Sequence, residues 1–377
     1  MSAVYLDCNS TTPIDPCVRD EVLRYLTEEF GNEGSRTHDY GVRARQAVQH
    51  ARDQVGEVVG AKRDEVIFTS GATESNNLAI LGLAAHGEQT GRKHIVSSQI
   101  EHKAVLEPLE ELASHGFEVT LVPPTSGGWV DSDAVKSALR KDTLLVSVMQ
   151  VNNETGVRQP IDLIAESLAD HPTFLHVDAA QGFGKEITAL RIPRIDLISI
   201  SGHKIFGPKG VGALITRRRG YNRPPLKPLQ FGGGQERGLR PGTLPVPLIV
   251  GLGLASELAL REAAERTAAC RNYRDSVLKA LKPLEPVFNG DPEQALPHVL
   301  NFSFPGLDSE ALMLTLKDII AISNGSACTS HSYQPSHVLK AMGLSHEIVQ
   351  GAVRISWCHL TEGPDWPVVA ERIKKLL

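Results

Sequence analysis

Lys204 lies in SGHKIFGPKG, directly after the apolar run DLISIS. A lysine amine held against low-dielectric walls has a depressed pKa and becomes a Schiff-base nucleophile. Asp178 closes the run FLHVDAA, with Gln181 three residues on. A carboxylate buried there needs a cationic partner, and a protonated pyridine nitrogen would serve. EVIFTS runs into Gly71-Ala72-Thr73-Glu74-Ser75 and then a helical pattern. Small residues let the backbone approach an anion, and a helix start offers unpaired N–H groups and a positive dipole end. Thr73 adds a hydroxyl there, and Ser201 and His203, close to Lys204, are further donors to a phosphate. His102 follows HIVSS, where an imidazole can stack on a planar ring or move protons near neutral pH. Asn152 and Asn153 follow TLLVSVMQ and offer amides to a ring hydroxyl. Arg354 stands in the apolar run AVRISW, and its guanidinium fork matches a carboxylate bidentately. Cys328 sits in SNGSACTS, a stretch of small polar residues of the kind that forms an exposed loop. Its reactivity depends on thiolate formation.

Each feature has an ordinary structural alternative. The glycine turn could be a plain helix cap, Asp178 an N-cap acid and Lys204 a surface lysine. His102 could be a satisfied, partly buried histidine, VNNETG an Asx turn and Arg354 half of an ion pair. Cys328 could be an incidental loop thiol. Taken together they are more specific. A phosphate cup, an acid for a ring nitrogen, a Schiff-base lysine, a stacking histidine and a carboxylate-binding arginine describe a pyridoxal phosphate site for an amino acid.

The elements that must position these groups are legible as alternating patterns. Candidate strands are 65–70, 94–98, 118–123, 143–150, 174–180, 196–201 and 211–216, with segments of helix length between the first six. Such alternation predicts an α/β fold with a mostly parallel seven-stranded sheet flanked by helices. Only GHKIFGPKG joins the last two strands, which is too short for a crossover helix, so that pair is expected to be antiparallel. Ligands of such a sheet bind at the carboxyl ends of the strands, where the residues above fall. A Gly-, Pro- and Arg-rich loop follows, then one long helical pattern over about 247–282. The remainder reads as a smaller α+β unit joined by the N-terminal segment. The expected division is a large domain over 15–255, and a small domain of 1–14 and 256–377 that carries the Cys328 loop.

Composition bounds the function. The 377 residues are 41% hydrophobic and 22% charged, which is a soluble globular balance. A net charge of −5 gives no field for nucleic-acid or membrane binding. The dense run Arg217–Arg219 reads as a solvated strand end. No apolar stretch approaches the ~20 residues of a spanning helix. No secretory leader is visible in MSAVYLDCNSTTP. Five scattered cysteines make no disulfide framework and are not spaced as zinc ligands, so no metal site and a reducing cytoplasm are expected.

The chain resembles the cysteine desulfurases, in the class V aminotransferase branch of fold-type I pyridoxal phosphate enzymes. The likeness runs from YLDCNSTTPIDP to AVRISW, through FGNEGSRTH, IFTSGATESNNLAI, EHKAVLEPLE, VNNETGV, HVDAAQGFGK, SGHKIFGPKGVGAL, GGGQERGLRPGTLP and NGSACTS. The resemblance implies that Lys204 carries the cofactor as a Schiff base. Ala72, Thr73, Ser201 and His203 would hold the phosphate, Asp178 the ring nitrogen, Gln181 and Asn153 the ring hydroxyl, and His102 would stack on the ring. Thr243 would reach the phosphate in the neighbouring subunit of a homodimer. Arg354, with Asn32 and Asn153, would bind the substrate L-cysteine. Lys204 and His102 would move protons while Cys328 takes the sulfur as a persulfide and passes it to an acceptor protein. Cys328 could also be a transient iron–sulfur ligand. Selenocysteine lyases and other class V aminotransferases are the neighbouring alternative. Ser10, Glu33-Gly34, Pro241 and Asn324 depart from the usual family spelling, and these departures resemble desulfurases serving DNA phosphorothioation.

Overall fold

The computed structural model describes residues 3–324 and 335–377. After a two-residue strand, β1 (Val4–Tyr5), the β-branched runs form β2 (Val66–Thr69), β3 (His94–Ser98), β4 (Glu118–Val122), β5 (Thr143–Met149), β6 (Phe174–Asp178), β7 (Leu197–Ser201) and β8 (Gly212–Thr216). Strands β2 to β8 make one sheet in the order β2-β8-β7-β6-β5-β3-β4. The expected strands are all present. The short link after β7 makes the β7–β8 pair antiparallel, and β8 also runs antiparallel to β2. The other pairs are parallel.

Helices cover both faces because neighbouring strand residues point to opposite sides. Ile198 and Ile200 join one apolar cluster with Val48, Val55 and Ile249, while Leu197 joins another with Leu78 and Leu109. Every residue of β5 and β7 is buried, as a strand covered on both faces must be.

The long helical pattern is in fact two helices, Val246–Arg261 and Ala263–Leu281, which corrects the single helix expected. The break at Glu262 separates two packing duties. The first helix is buried against helices Pro16–Thr27 and Asp39–Val59, beside the large sheet. The second is mostly polar and places Cys270, Val277 and Leu281 in a different cluster with Leu6, Phe302, Phe304, Val353 and Trp357. That cluster is built on β9 (Val287–Phe288), β10 (Val299–Ser303) and β12 (Ala352–Ser356), an antiparallel sheet in the order β12-β10-β9. β11 (Ile320–Ala321) pairs in parallel with β1, so the N-terminus is stitched into the C-terminal part of the fold.

The arginine run is a solvated strand end only in part: Arg219 is exposed and Arg218 half-buried. Arg217 is buried and donates to the carbonyls of Leu190 and Ile192 at 2.6 Å each, and also to Val59. Arg218 pairs with Asp64 and Arg219 with Asp196. Loop carbonyls with no ladder partner consume the donors that seemed surplus in sequence. No helix among the described residues is long and apolar enough to cross a membrane.

Candidate active site

A cavity of about 550 Å³ opens at the carboxyl ends of the central strands. Lys204 enters it from the short helical turn Gly202–Lys204 that follows β7. Its Nζ donates to the carbonyl oxygens of Asn9 at 2.6 Å and Ser10 at 2.7 Å. Asp178 ends β6 and is 5% exposed. Its Oδ2 accepts from Asn76 Nδ2 at 2.7 Å and its Oδ1 from the Ala180 N–H at 2.9 Å. Both donors fix the orientation of the carboxylate.

Ala72 and Thr73 line the same cavity at the start of the helix Ala72–Leu81. The N-cap is Gly71, at φ 154° and ψ −178°, a conformation essentially confined to glycine. No side chain caps this helix start, so its first N–H groups keep their capacity for an anion. Ser201 stands opposite, its Oγ 3.6 Å from where a Cβ on Gly71 would fall.

His203 Nδ1 shares a hydrogen bond of 3.1 Å with Thr11 Oγ1. Burial, helped by the positive Lys204, Lys209 and Lys185, pushes its pKa down to about 4, so the ring is neutral at pH 7. His102 caps the helix Lys103–Ser114, and its Nδ1 accepts from the Ala104 N–H at 3.1 Å. A proton on that ring therefore sits at Nε2 in the neutral form. Gln181 donates from Nε2 to the Asn9 carbonyl at 2.9 Å, and Asn153 lines the wall beside it.

Arg354 reaches the cavity from β12 with 3% exposure. Its Nη1 donates to the Asn153 carbonyl at 2.8 Å and its Nη2 to Asp7 Oδ1 at 2.6 Å. The expected substrate arginine is thus also a member of an ion pair, the structural alternative noted for it.

Two expected residues lie elsewhere. Asn32 is exposed and is not among the residues that line the cavity. Its Oδ1 accepts from the Gly34 N–H at 2.8 Å, closing a local turn. Thr243 is exposed and also outside the cavity wall. Cys328 lies outside the described residues.

The sequence reading missed Asn9, Ser10 and Thr11, which line the cavity, and Asn76, which holds Asp178. Asn76 had a readable signal: it is a polar residue on the buried face of a helix, at 0% exposure. The reading also passed over Glu101, next to His102. It is fully buried, with Oε1 accepting from Ser98 Oγ at 2.5 Å and the Met149 N–H at 3.0 Å.

Comparison with known proteins identifies the family. The class-V aminotransferase family model matches residues 4–365. The cysteine desulfurase IscS of Methylococcus capsulatus is 48% identical over 373 residues, covering 98% of this chain and 91% of that protein. The crystal structure of DndA from Streptomyces lividans is 52% identical, with a TM-score of 0.83 over 93% of this chain and 98% of that one. A structure of SspA in complex with cysteine is 36% identical, with a TM-score of 0.83 over 96% of this chain and all of that one. The chain belongs to the class-V aminotransferases and, among them, is an enzyme of the cysteine desulfurase family.

Proposed function

We propose that this enzyme binds pyridoxal 5′-phosphate through Lys204 and uses it to move the sulfur of L-cysteine onto Cys328, releasing L-alanine. The observation that carries the reading is the shared wall of the cavity. An amine, a buried carboxylate and an uncapped helix start face one space large enough for a phosphorylated ring. Buried polar atoms on that wall fit the same group. Asn9 Oδ1, Asn76 Oδ1, Gln181 Oε1 and Arg354 Nε have no hydrogen-bond partner within the described protein, although buried groups are almost always satisfied.

Ala72, Thr73, Ser201 and His203 would hold the phosphate, and Asp178, Gln181, Asn153 and His102 the ring. When bound, the cofactor supplies an electron sink for a carbanion at the substrate Cα. The chain does the remaining work. Asp178 keeps a proton on the ring nitrogen. Arg354 takes the cysteine carboxylate, exchanging part of its bond with Asp7. Lys204 and His102 Nε2 carry protons at the substrate. The Cys328 thiolate attacks the substrate sulfur as in thiol exchange and becomes the persulfide. Cysteine and a protein thiol give alanine and a protein persulfide, so atoms and electrons balance.

The proposal extends to a homodimer in which Thr243 contacts the second subunit's phosphate. It extends also to a cytoplasmic acceptor protein serving iron–sulfur assembly, thiolation or DNA phosphorothioation. The 52% identity to DndA supports keeping the last of these in view.

Purified chain incubated with pyridoxal phosphate should turn yellow and form alanine from cysteine. Lys204→Ala should lose the colour. Cys328→Ser should keep the colour and lose persulfide formation. Full sulfide release by Cys328→Ser, or consumption of an α-keto acid instead of alanine production, would refute the assignment.

A further inference from the structure

A second cluster of reactive groups lies behind the N-terminal segment. Cys8 and Cys358 are buried at 2% and 5% exposure and pack together with Phe206. They are 350 positions apart in sequence, but the backbone brings them side by side. The Cys8 N–H donates to the Ser356 carbonyl at 3.1 Å, and the Asn9 N–H donates to Ser356 Oγ at 2.8 Å. The two side chains pack against one another.

The pair divides two cavities and lines both. The inner one, about 110 Å³, reaches Lys185, Cys270 and His298. The outer one, about 520 Å³, reaches Tyr5, Lys209 and Leu360. A small solute in the outer cavity therefore lies against both cysteine residues. Around Cys358 the groups favour the thiolate. The neighbouring Cys8 lowers its pKa, the Thr361 hydroxyl donates to its sulfur at 3.4 Å, and Lys185 adds positive charge; burial opposes them and is outweighed. Cys8 carries the proton and is pushed up by the same contact. One nucleophilic and one protonated thiol in contact is the arrangement of an attacking and a resolving cysteine.

We propose that Cys8 and Cys358 form a reversible dithiol site for hydroperoxides, separate from the sulfur-transfer cysteine. The Cys358 sulfur attacks the peroxide oxygen. The O–O bond breaks, hydroxide leaves, and Cys358 becomes a sulfenic acid. The Cys8 sulfur then attacks the Cys358 sulfur. An S–S bond forms, the S–O bond breaks, and the Cys8 proton leaves with the hydroxide as water. Two thiols and one hydrogen peroxide give one disulfide and two waters. A dithiol reductant reverses it by exchange.

The test uses the full-length variant Cys17→Ser/Cys270→Ser/Cys328→Ser, in which Cys8 and Cys358 are the remaining thiols of the five. Hydrogen peroxide should abolish both thiols titratable in denaturant, and dithiothreitol should restore both. A non-reducing digest should link the peptides that contain Cys8 and Cys358. The same linked peptide should appear from peroxide-treated unaltered chain, which guards against a folding defect in the variant. With Cys8→Ala added, dimedone should trap Cys358 as its sulfenic acid. Two thiols still titratable after peroxide, or Cys358 linked to Cys270 or to another chain, would overturn the proposal.

Discussion

Glu101 shows how one carboxyl group can tie stability to pH beside a reaction centre. It is fully buried, and burial pushes its pKa up to about 8, with the negative Asp178 adding to the effect and the Ser98 and Met149 hydrogen bonds opposing it. Unfolded, the group would titrate near its model value of 4.5. Between those values the folded chain holds a proton that the unfolded chain has lost. Its contribution to stability is therefore fully present below pH 4.5 and falls as pH rises through 8. Glu101→Gln keeps an oxygen for the Ser98 and Met149 donors and cannot ionise. Its melting temperature relative to the parent should rise progressively from pH 5 to pH 8.5 by calorimetry; a constant difference would show that Glu101 does not titrate in that range. Legibility at this scale followed chemistry. Lys204, Asp178, His102 and Arg354 were readable because each is a polar residue at the end of, or inside, an apolar run. Asp7, the partner of Arg354, was not, since 347 positions separate them. Asn32 was placed by resemblance alone, and a resemblance does not say which residues share a cavity within one chain.

At the scale of elements, the anion cradle depends on two glycines that touch. A Cβ on Gly212, the first residue of β8, would stand 2.7 Å from Gly71 Cα and also meet the Ile200 carbonyl. Neither obstacle is a movable side-chain tip, so β8 or the cradle must shift. Gly212→Ala should cost about 1–3 kcal/mol, as overpacking does. Its affinity for pyridoxal phosphate should also fall, because the displaced backbone is the cradle itself. Urea unfolding and a spectroscopic cofactor titration read the two effects separately, and an unchanged cofactor affinity would show the cradle is not set by this contact. The strands were legible in sequence almost residue by residue because a buried parallel sheet demands unbroken apolar runs. The break at Glu262 was not, because helical periodicity continues across it while the packing partner changes. The two-residue β9 is too short to carry a pattern.

For the whole molecule, the site is completed by a segment that belongs to neither face of the large sheet. Residues 9–11 line the cavity, and the segment before them is tied to the C-terminal part by the β1–β11 pair, the Asp7–Arg354 ion pair and the Ser356 contacts. Removing residues 3–8 takes away these ties except the Asn9–Ser356 hydrogen bond, and leaves the seven strands of the large sheet intact. The shortened chain should keep most of its far-ultraviolet circular dichroism but fail to acquire the yellow colour with pyridoxal phosphate. Normal colour and normal alanine formation would show that the segment does not position Lys204.

The stitching of residues 7–9 to residues 354–356 sets an order on biosynthesis. The seven strands of the large sheet leave the ribosome by residue 216, yet the lysine's two carbonyl anchors find their tether only once β12 has been translated. A nascent chain halted at residue 300 would own every strand of that sheet and still lack a finished pocket. Vitamin capture is then among the last events of maturation, and a translation arrest between the end of β8 and the start of β12 would yield protein that is structured yet colourless.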